Sequence, residues 1–552
     1  MQKCLPALNL VFLIFPKNRS LGSYLEVRMR KGWIFCLSFI FLAISAPNLT
    51  AQEFPVQDPV LEAIWAEGMD NSQIYELAQT LSDSIGPRLP GSPAFDDAAD
   101  WILETYESWG ISGRTEEYGT WRSWERGITH ADLMEPRVRS LDGMMQAWSP
   151  GTEGPVTAPV VAFPDISTVA ELTTFLEAVD GKFVLMNPAE VSCRPMENWE
   201  EWATPESLEK IQEMRESTRN RLRERMESLG LSTSELVQRL EGAGALGTFT
   251  SSWTGNWGAS RLGATRNQEI PEIAFGCEDY GLMYRLATEG QGPEVRLDAQ
   301  VTDHGTAPTY NVIGEIRGTE KPDEYIILSA HLDSWDGGSG ATDNNTGSVT
   351  MMEALRILKK VYPNPKRTIL VALWNGEEQG LNGSRAFVAD HPEIVRNIQA
   401  VFNQDNGTGR VANISMQGFT GVASYFGEWM TAIPNDIGQH IDLHFPGNPG
   451  SGGSDYASFV CAGVPAFSLS SLSWSYRQTY HNPTDTFDKI VIDDVVNNAV
   501  LTAMLTYMAS EEEDLLPRDK RAMTGTNPWT GEPMTWPQCR EPARSATGYF
   551  NR

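Results

Sequence analysis

Five residues in the second half of this chain have the types that bind a pair of metal ions: His331, Asp343, Glu378, Asp405 and His481. Hard carboxylates together with neutral imidazoles suit Zn²⁺, and two ions ~3.5–4 Å apart need a ligand that both can share. Asp343 is the natural bridge, because it lies on the acidic loop from Gly340 to Gly347, between a strand and the helix that follows. One ion would then see Asp343, Glu378 and His481, and the other His331, Asp343 and Asp405. Each would keep a position for a shared water or hydroxide. Asp333, two residues beyond His331, is placed to accept that histidine's other ring proton and fix its tautomer. Glu377 sits beside a ligand but would point elsewhere, which leaves it free to act as general base on the metal-bound water.

Taken singly, each residue has a duller reading. His331 could be hydrogen-bonded in a loop, Glu377-Glu378 an exposed turn, Asp405 the cap of a turn through Asn406-Gly407, and His481 the start of the turn at Asn482-Pro483. What favours the metal is the elements that must carry them. Tyr325 to Ala330, Thr368 to Trp374 and Ala400 to Gln404 are short, nearly continuous apolar runs, which suit strands buried on both faces of a parallel sheet. The first is followed by His331, the second by Glu377-Glu378 and the third by Asp405. Between the first two, Met351, Ala354, Leu355, Leu358 and Val361 have helical spacing, so the unit reads as a βαβ crossover. Ligands of such sheets gather outside the carboxyl ends of the strands. The other histidines, His130, His304, His391, His440 and His444, lack such company and read as structural or surface residues, with His444 a weak exception because a Gly/Pro-rich loop follows it.

A chain of 552 residues is too long for one ordinary core. Its formal net charge of -29 argues against a nucleic-acid partner, which needs a basic surface. Arg30-Lys31 precedes the apolar run Trp33 to Ile44, and Leu49-Thr50-Ala51 makes a small-residue cleavage site, so residues 1–51 read as an export signal. Met29 stands directly before the basic pair, so residues 1–28 read as an upstream extension from a mis-assigned start. About 12 apolar residues fall short of the ~20 that a membrane span needs, and no other stretch is long and apolar enough to span. Export, periplasmic or extracellular, would permit disulfides, but Cys193, Cys277, Cys461 and Cys539 form no CxxC pair, and Cys461 reads as a buried thiol.

The remaining chain divides by texture. Residues 52–135 form the N-terminal part of the peptidase domain; from Pro55 to Trp109 they hold helices from about Val60 to Glu67, Ser72 to Ser84 and Ala94 to Trp109, with no sheet of their own. Residues 136–299 change to short strands at Val160–Phe163 and Lys182–Met186 with a helix at Val169–Val179 between them, plus a charged amphipathic helix from Glu206 to Leu229 that would lie over this stretch or over the active-site mouth. The whole region reads as a small β-rich insert. Residues 300–515 form the catalytic domain, closed by a helix from about Asp493 to Ala509. Residues 516–552 are a Pro-, Arg- and Thr-rich tail with little core-forming content.

The strings S-A-H-L-D-S-W-D from Ser329, G-A-T-D-N-N-T-G from Gly340, N-G-E-E-Q-G from Asn375 and Y-H-N-P-T-D-T-F from Tyr480 resemble, in order and spacing over residues 325–490, the zinc-dependent exopeptidase family of secreted aminopeptidases, glutamate carboxypeptidase and carboxypeptidase Q. G-P-R-L-P-G-S-P from Gly86, W-E-R-G from Trp124 and E-E-D-L-L-P-R from Glu512 look most like the carboxypeptidase Q branch. The resemblance implies two Zn²⁺ per chain on the same five ligands, Glu377 as base, and a non-proline cis peptide at Asp343-Asn344. It also implies an α/β fold with a mainly parallel central sheet flanked by helices, and an insert similar to a protease-associated domain. Gly453-Ser454-Asp455-Tyr456 resembles the family's glycine-serine-aspartate-histidine loop. Tyr456 stands where that loop has histidine, so only a pocket-lining role carries over to Ser454, Asp455 and Tyr456. Arg477 and Tyr480 are candidate contacts for a substrate carboxylate or the oxyanion.

The expected function is a secreted di-zinc metallo-exopeptidase acting on a terminus of peptides or on dipeptides through a metal-bridging hydroxide and Glu377. Homodimers are common among such relatives. The metal residues alone leave aminopeptidase and carboxypeptidase or dipeptidase both open. The rivals are an acyltransferase like glutaminyl cyclase, with one catalytic zinc, and a receptor-like relative without catalysis. Relatives of the latter kind usually lose ligands, and here all five are present.

Overall fold

The computed structural model describes residues 54–526 and 531–546. The expected export signal and start-site extension lie outside the described residues. A mixed sheet runs through the molecule. Its centre is parallel: the strand Lys321–His331 lies between Arg367–Trp374 and Ile398–Asn403, and Ala466–Ser471 follows outside. All residues of Arg367–Trp374 and of Ile398–Asn403 are buried, as expected for strands covered on both faces.

Helices supply that cover. Thr346–Val361 is buried without interruption from Thr346 to Leu358, and it packs against Ile492–Glu511 and Pro59–Asp70. The last two meet closely at Gly68, where a Cβ would lie 2.4 Å from Val500 Cγ2. Pro59–Asp70 begins where Asp58 accepts from the Val60 N–H at 2.8 Å. Elsewhere, Phe387 of Asn382–Asp390 and Phe459 of Tyr456–Cys461 pack on Trp374. A buried charged cluster sits in this core: Arg356, 6% exposed, forms ion pairs with Glu67 and Glu353.

Four features differ from the sequence reading. Ser112–Glu135, to which the sequence reading assigned no element, is a 24-residue strand paired antiparallel with Glu294–Ile316 along nearly its whole length. It lacks an apolar run because only scattered side chains, among them Tyr118, Trp121 and Trp124, turn inward. This pair joins the parallel centre to a second group of strands, Val156–Ala162, Phe183–Leu185, Gly247–Thr250 and Glu272–Phe275, which are mutually parallel, with Gly143–Met145 antiparallel at the end. Between residues 136 and 299 the two expected helices are Val169–Leu176 and Pro205–Leu229, the latter capped by Thr204 and ended by Gly230 at φ 65°, and three helices the sequence reading did not assign, Met196–Trp202, Thr233–Gly242 and Cys277–Thr288, accompany them.

The described part of the tail is held down. Ala543 is buried and donates its N–H to Asn382 Oδ1, Arg544 pairs with Asp390, and the Trp536 indole donates to the Val460 carbonyl. Cys461 is not a free thiol: it is bonded to Cys539 in that tail, and Cys193 is bonded to Cys277. Residues too sparse in apolar content to make a core are instead fastened to one by a covalent bond and by hydrogen bonds.

Candidate metal centre

The strand register delivers the site. His331 pairs with Trp374 at the last rung between their strands, so the Glu377-Glu378 turn emerges beside it. Gly376, at φ 74°, makes that turn. The rung below is locked by a chain of hydrogen bonds running across the rim. The Trp374 indole donates to Ser329 Oγ at 2.8 Å, Ser329 Oγ to Asn403 Oδ1 at 2.6 Å, and Asn403 Nδ2 to Ser454 Oγ at 2.9 Å.

Two groups of ligand-type side chains form on this rim, and Asp343 belongs to both. His331 Nε2 lies 3.3 Å from Asp343 Oδ1 and 3.2 Å from Asp405 Oδ1. His481 Nε2 lies 3.1 Å from Asp343 Oδ2 and 2.8 Å from Glu378 Oε2. Asp343 thus turns one carboxylate oxygen to each histidine, the disposition that a bridging ligand requires. The peptide bond Asp343-Asn344 is cis. The Asp343 loop is held by Asp485, which accepts from the Thr342 N–H at 2.7 Å and the Asp343 N–H at 3.1 Å. Burial pushes the Asp485 carboxyl up to about 7, against these hydrogen bonds.

The histidines are oriented from behind. His331 Nδ1 lies 2.8 Å from the main-chain carbonyl of Asp333 and 3.6 Å from its carboxylate, so the carbonyl takes the ring proton. The Asp333 carboxylate instead accepts from the N–H groups of Glu377 and Glu378, at 3.2 and 3.3 Å. Asp333 therefore ties two strand ends together, a role that two-residue spacing did not reveal. His481 adopts φ 55°, and its ring stacks on Tyr480 with centroids 3.5 Å apart while Trp335 meets it edge-on.

With Nδ1 committed to a carbonyl, the neutral His331 ring presents a lone pair from Nε2 to carboxylates that offer only lone pairs. Something positive must lie between them. Protons can serve: although burial works against it, Glu378 and Asp343 raise the His481 imidazole to about 10, and the His331 imidazole is raised by Asp405 and its neighbours. Burial also pushes Glu378 up to about 7 and Glu377 well above the usual carboxylate range. Asp343 Oδ2 and Glu378 Oε1 are buried without a hydrogen-bond partner. Divalent cations in place of those protons would meet the facing nitrogen and oxygen atoms of both groups, so the donor set fits a metal pair.

The rim opens into a cleft of about 600 Å³ lined by Asp343, Glu377, Glu378, Asp405 and His481. Ser454, Tyr456, Arg477 and Tyr480 line it too, as does Tyr476, which the sequence reading did not single out. Asp455 lies beneath its neighbours, fully buried, its carboxyl pushed up to about 7 by burial against the pull of His331. Arg261, far away in sequence, also reaches the cleft, its guanidinium 5.0 Å from the Tyr480 ring centroid. Nothing in its local sequence marks it. His304 and His391 pair with Glu125 and Glu116 outside the cleft.

Residues 311–506 match the model of peptidase family M28. Carboxypeptidase Q of Xenopus laevis is 27% identical over 456 residues, covering 82% of this chain and 88% of its own, and carboxypeptidase Q of Homo sapiens is 25% identical with the same coverage. Among solved structures, a peptidase M28 precursor from Shewanella amazonensis superposes with a TM-score of 0.62 at 24% identity, covering 83% of this chain and 97% of its own.

Proposed function

We propose that this chain, which belongs to peptidase family M28 and is a metallo-exopeptidase, works as an exported enzyme with two zinc ions per chain. The observation that carries the proposal is the division of the Asp343 oxygens between the two histidines. His331, Asp343 and Asp405 would hold one ion, and Asp343, Glu378 and His481 the other. When bound, the ions supply Lewis acidity to the scissile carbonyl and acidify water at neutral pH.

The protein's own groups do the rest. Glu377 projects into the cleft without being needed as a ligand, so it takes the proton of the attacking water and passes it to the leaving amine nitrogen. Its burial makes it a stronger base than an exposed glutamate. Asp333 holds Glu377 and Glu378 in place through their N–H groups. Ser454, Tyr456, Arg477 and Tyr480 line the space in which a peptide terminus would lie, with Arg477 and Tyr480 facing a carboxylate or the developing oxyanion. Two disulfides support an oxidising compartment, and among the described residues no helix is long and apolar enough to cross a membrane.

Glu377→Ala tests the assignment. The variant is expected to keep both metal ions, measured by elemental analysis, while its turnover of dipeptides falls about 10²–10⁴-fold. A variant that turns over at nearly the normal rate would remove Glu377 from the role of base.

A further inference from the structure

Beside the catalytic cleft lies a second cavity, of about 330 Å³, which none of the five metal-site residues lines. It is built outside residues 311–506, the part that matches the family. Its walls begin where the parallel strands Phe183–Leu185 and Gly247–Thr250 end, with Glu190 following the first and Ser251 and Trp253 the second. The helix Pro205–Leu229 closes it with Arg219. Carboxyl ends of parallel strands are where such sheets bind ligands.

Arg261 lines both this cavity and the catalytic cleft, so the two adjoin. Its position is fixed by main chain on either side: the Arg261 N–H donates to the Ser252 carbonyl at 2.8 Å, and the Leu262 N–H donates to the carbonyl of His481 at 2.7 Å. The arginine that divides the two spaces is therefore built onto the loop that carries a metal-site histidine.

Positive charge predominates in the cavity. Arg219 and Arg261 line it, and Arg215 stacks on Trp253 at 4.8 Å from the ring centroid. Glu190 is the acid among the lining residues, and burial raises its carboxyl toward the neutral form against the pull of Arg215 and Arg219. Among the described residues, neither Arg219 nor Arg261 is in an ion pair, and Arg261 Nε and Ser251 Oγ are buried without a hydrogen-bond partner. Donors held unpaired next to a peptidase cleft suit an anion that arrives with the substrate.

We infer that this cavity is a substrate subsite for a carboxylate of the peptide, set away from the scissile bond and bound by Arg219 and Arg261. The carboxylate is either the free C-terminus or an aspartate or glutamate side chain. The inference rests on the peptidase reading of the adjoining cleft.

The test uses the full zinc-loaded chain and a set of alanine tripeptides, with free or amidated C-termini and with or without glutamate at either end. Wild type, Arg219→Ala and Arg261→Gln are compared by the ratio of kcat/KM between acidic and neutral members. Wild type is expected to favour the acidic members, and each variant to narrow that ratio about tenfold, through KM. Preference lost on amidation assigns the C-terminal carboxylate; preference that follows glutamate assigns the side chain. Arg219 lies on an exposed helix surface, so its variant keeps the fold and leaves the test open even if Arg261→Gln misfolds. Cleavage of all peptides without preference, or a ratio unmoved in Arg219→Ala, would overturn the subsite alone. Failure to cleave any peptide would overturn the peptidase reading and the subsite with it.

Discussion

Arg88→Met is the perturbation whose cost can be worked most directly from the structure. Arg88 is fully buried behind the site and ties three segments together. Its Nε donates to the Leu332 carbonyl at 2.7 Å, its Nη1 to the carbonyls of Gly86 and, at 3.2 Å, Ser339, and its Nη2 to Asn345 Oδ1. The segments from His331 to Asp333 and from Gly340 to Asn345 are thus held by one guanidinium. Burial lowers its pKa to about 10, with Asp333 and Asp485 opposing, so it stays charged at neutral pH. Methionine fills a similar volume but returns none of these bonds. A hydrogen bond to a charged group is worth ~1.5–3 kcal/mol. The four share one network and do not add, so the expected loss is about 4 kcal/mol rather than their sum. Against a total of about 5–15 kcal/mol that is a large fraction. Lysine keeps the charge but offers no planar fork, and should recover less than half. The assay is urea unfolding of the three proteins at pH 7. If Arg88→Met falls within about 1 kcal/mol of wild type, the claim that Arg88 holds the two loops is wrong.

Two further perturbations follow from the same structure. Burial alone would raise the Glu67 carboxyl, but Arg356 and Lys360 outweigh it and hold it below the usual carboxylate range. A depressed folded-state value contributes stability above the unfolded value, ~4.3, which disappears as pH falls through the folded one. Glu67→Gln should therefore cost about 1–3 kcal/mol at pH 7, since Arg356 keeps Glu353, and progressively less toward pH 3; a pH-independent difference would contradict the pairing. Replacing Cys461 and Cys539 by alanine opens a link between residues 78 apart and should cost about 2–4 kcal/mol. The loss should show first as proteolysis within the tail, and a digestion pattern identical to wild type would argue against its role as a fastening.

Much of the candidate centre is legible because three of its five ligand-type residues sit at the ends of apolar runs. Such runs mark buried parallel strands, and strand ends mark the rim. His331, Glu378 and Asp405 could be placed in this way, and Asp343 followed from the loop that enters the crossover helix. What could not be read depended on partners remote in sequence. Ser112–Glu135 is half exposed and takes its shape from Glu294–Ile316, so its own pattern is weak. Cys461 sits in an apolar string that suggests a core thiol, and only the return of the tail brings Cys539 to it. Asp333 lies two residues from His331, which suggested a bond between side chains, yet the main chain supplies the acceptor and frees the carboxylate for the Glu377 turn. Arg261 has no motif at all; its place in the cleft comes from the pairing of Leu262 with His481.

The central claim is that Asp343 serves two cations at once. Zinc content per chain, measured for wild type and for Asp343→Ala after equilibration against a chelator-buffered zinc solution, tests it most directly. Two zinc ions are expected in wild type, with loss of tight binding at both positions in the variant. A single ion in wild type, or a variant that still holds two, would contradict it.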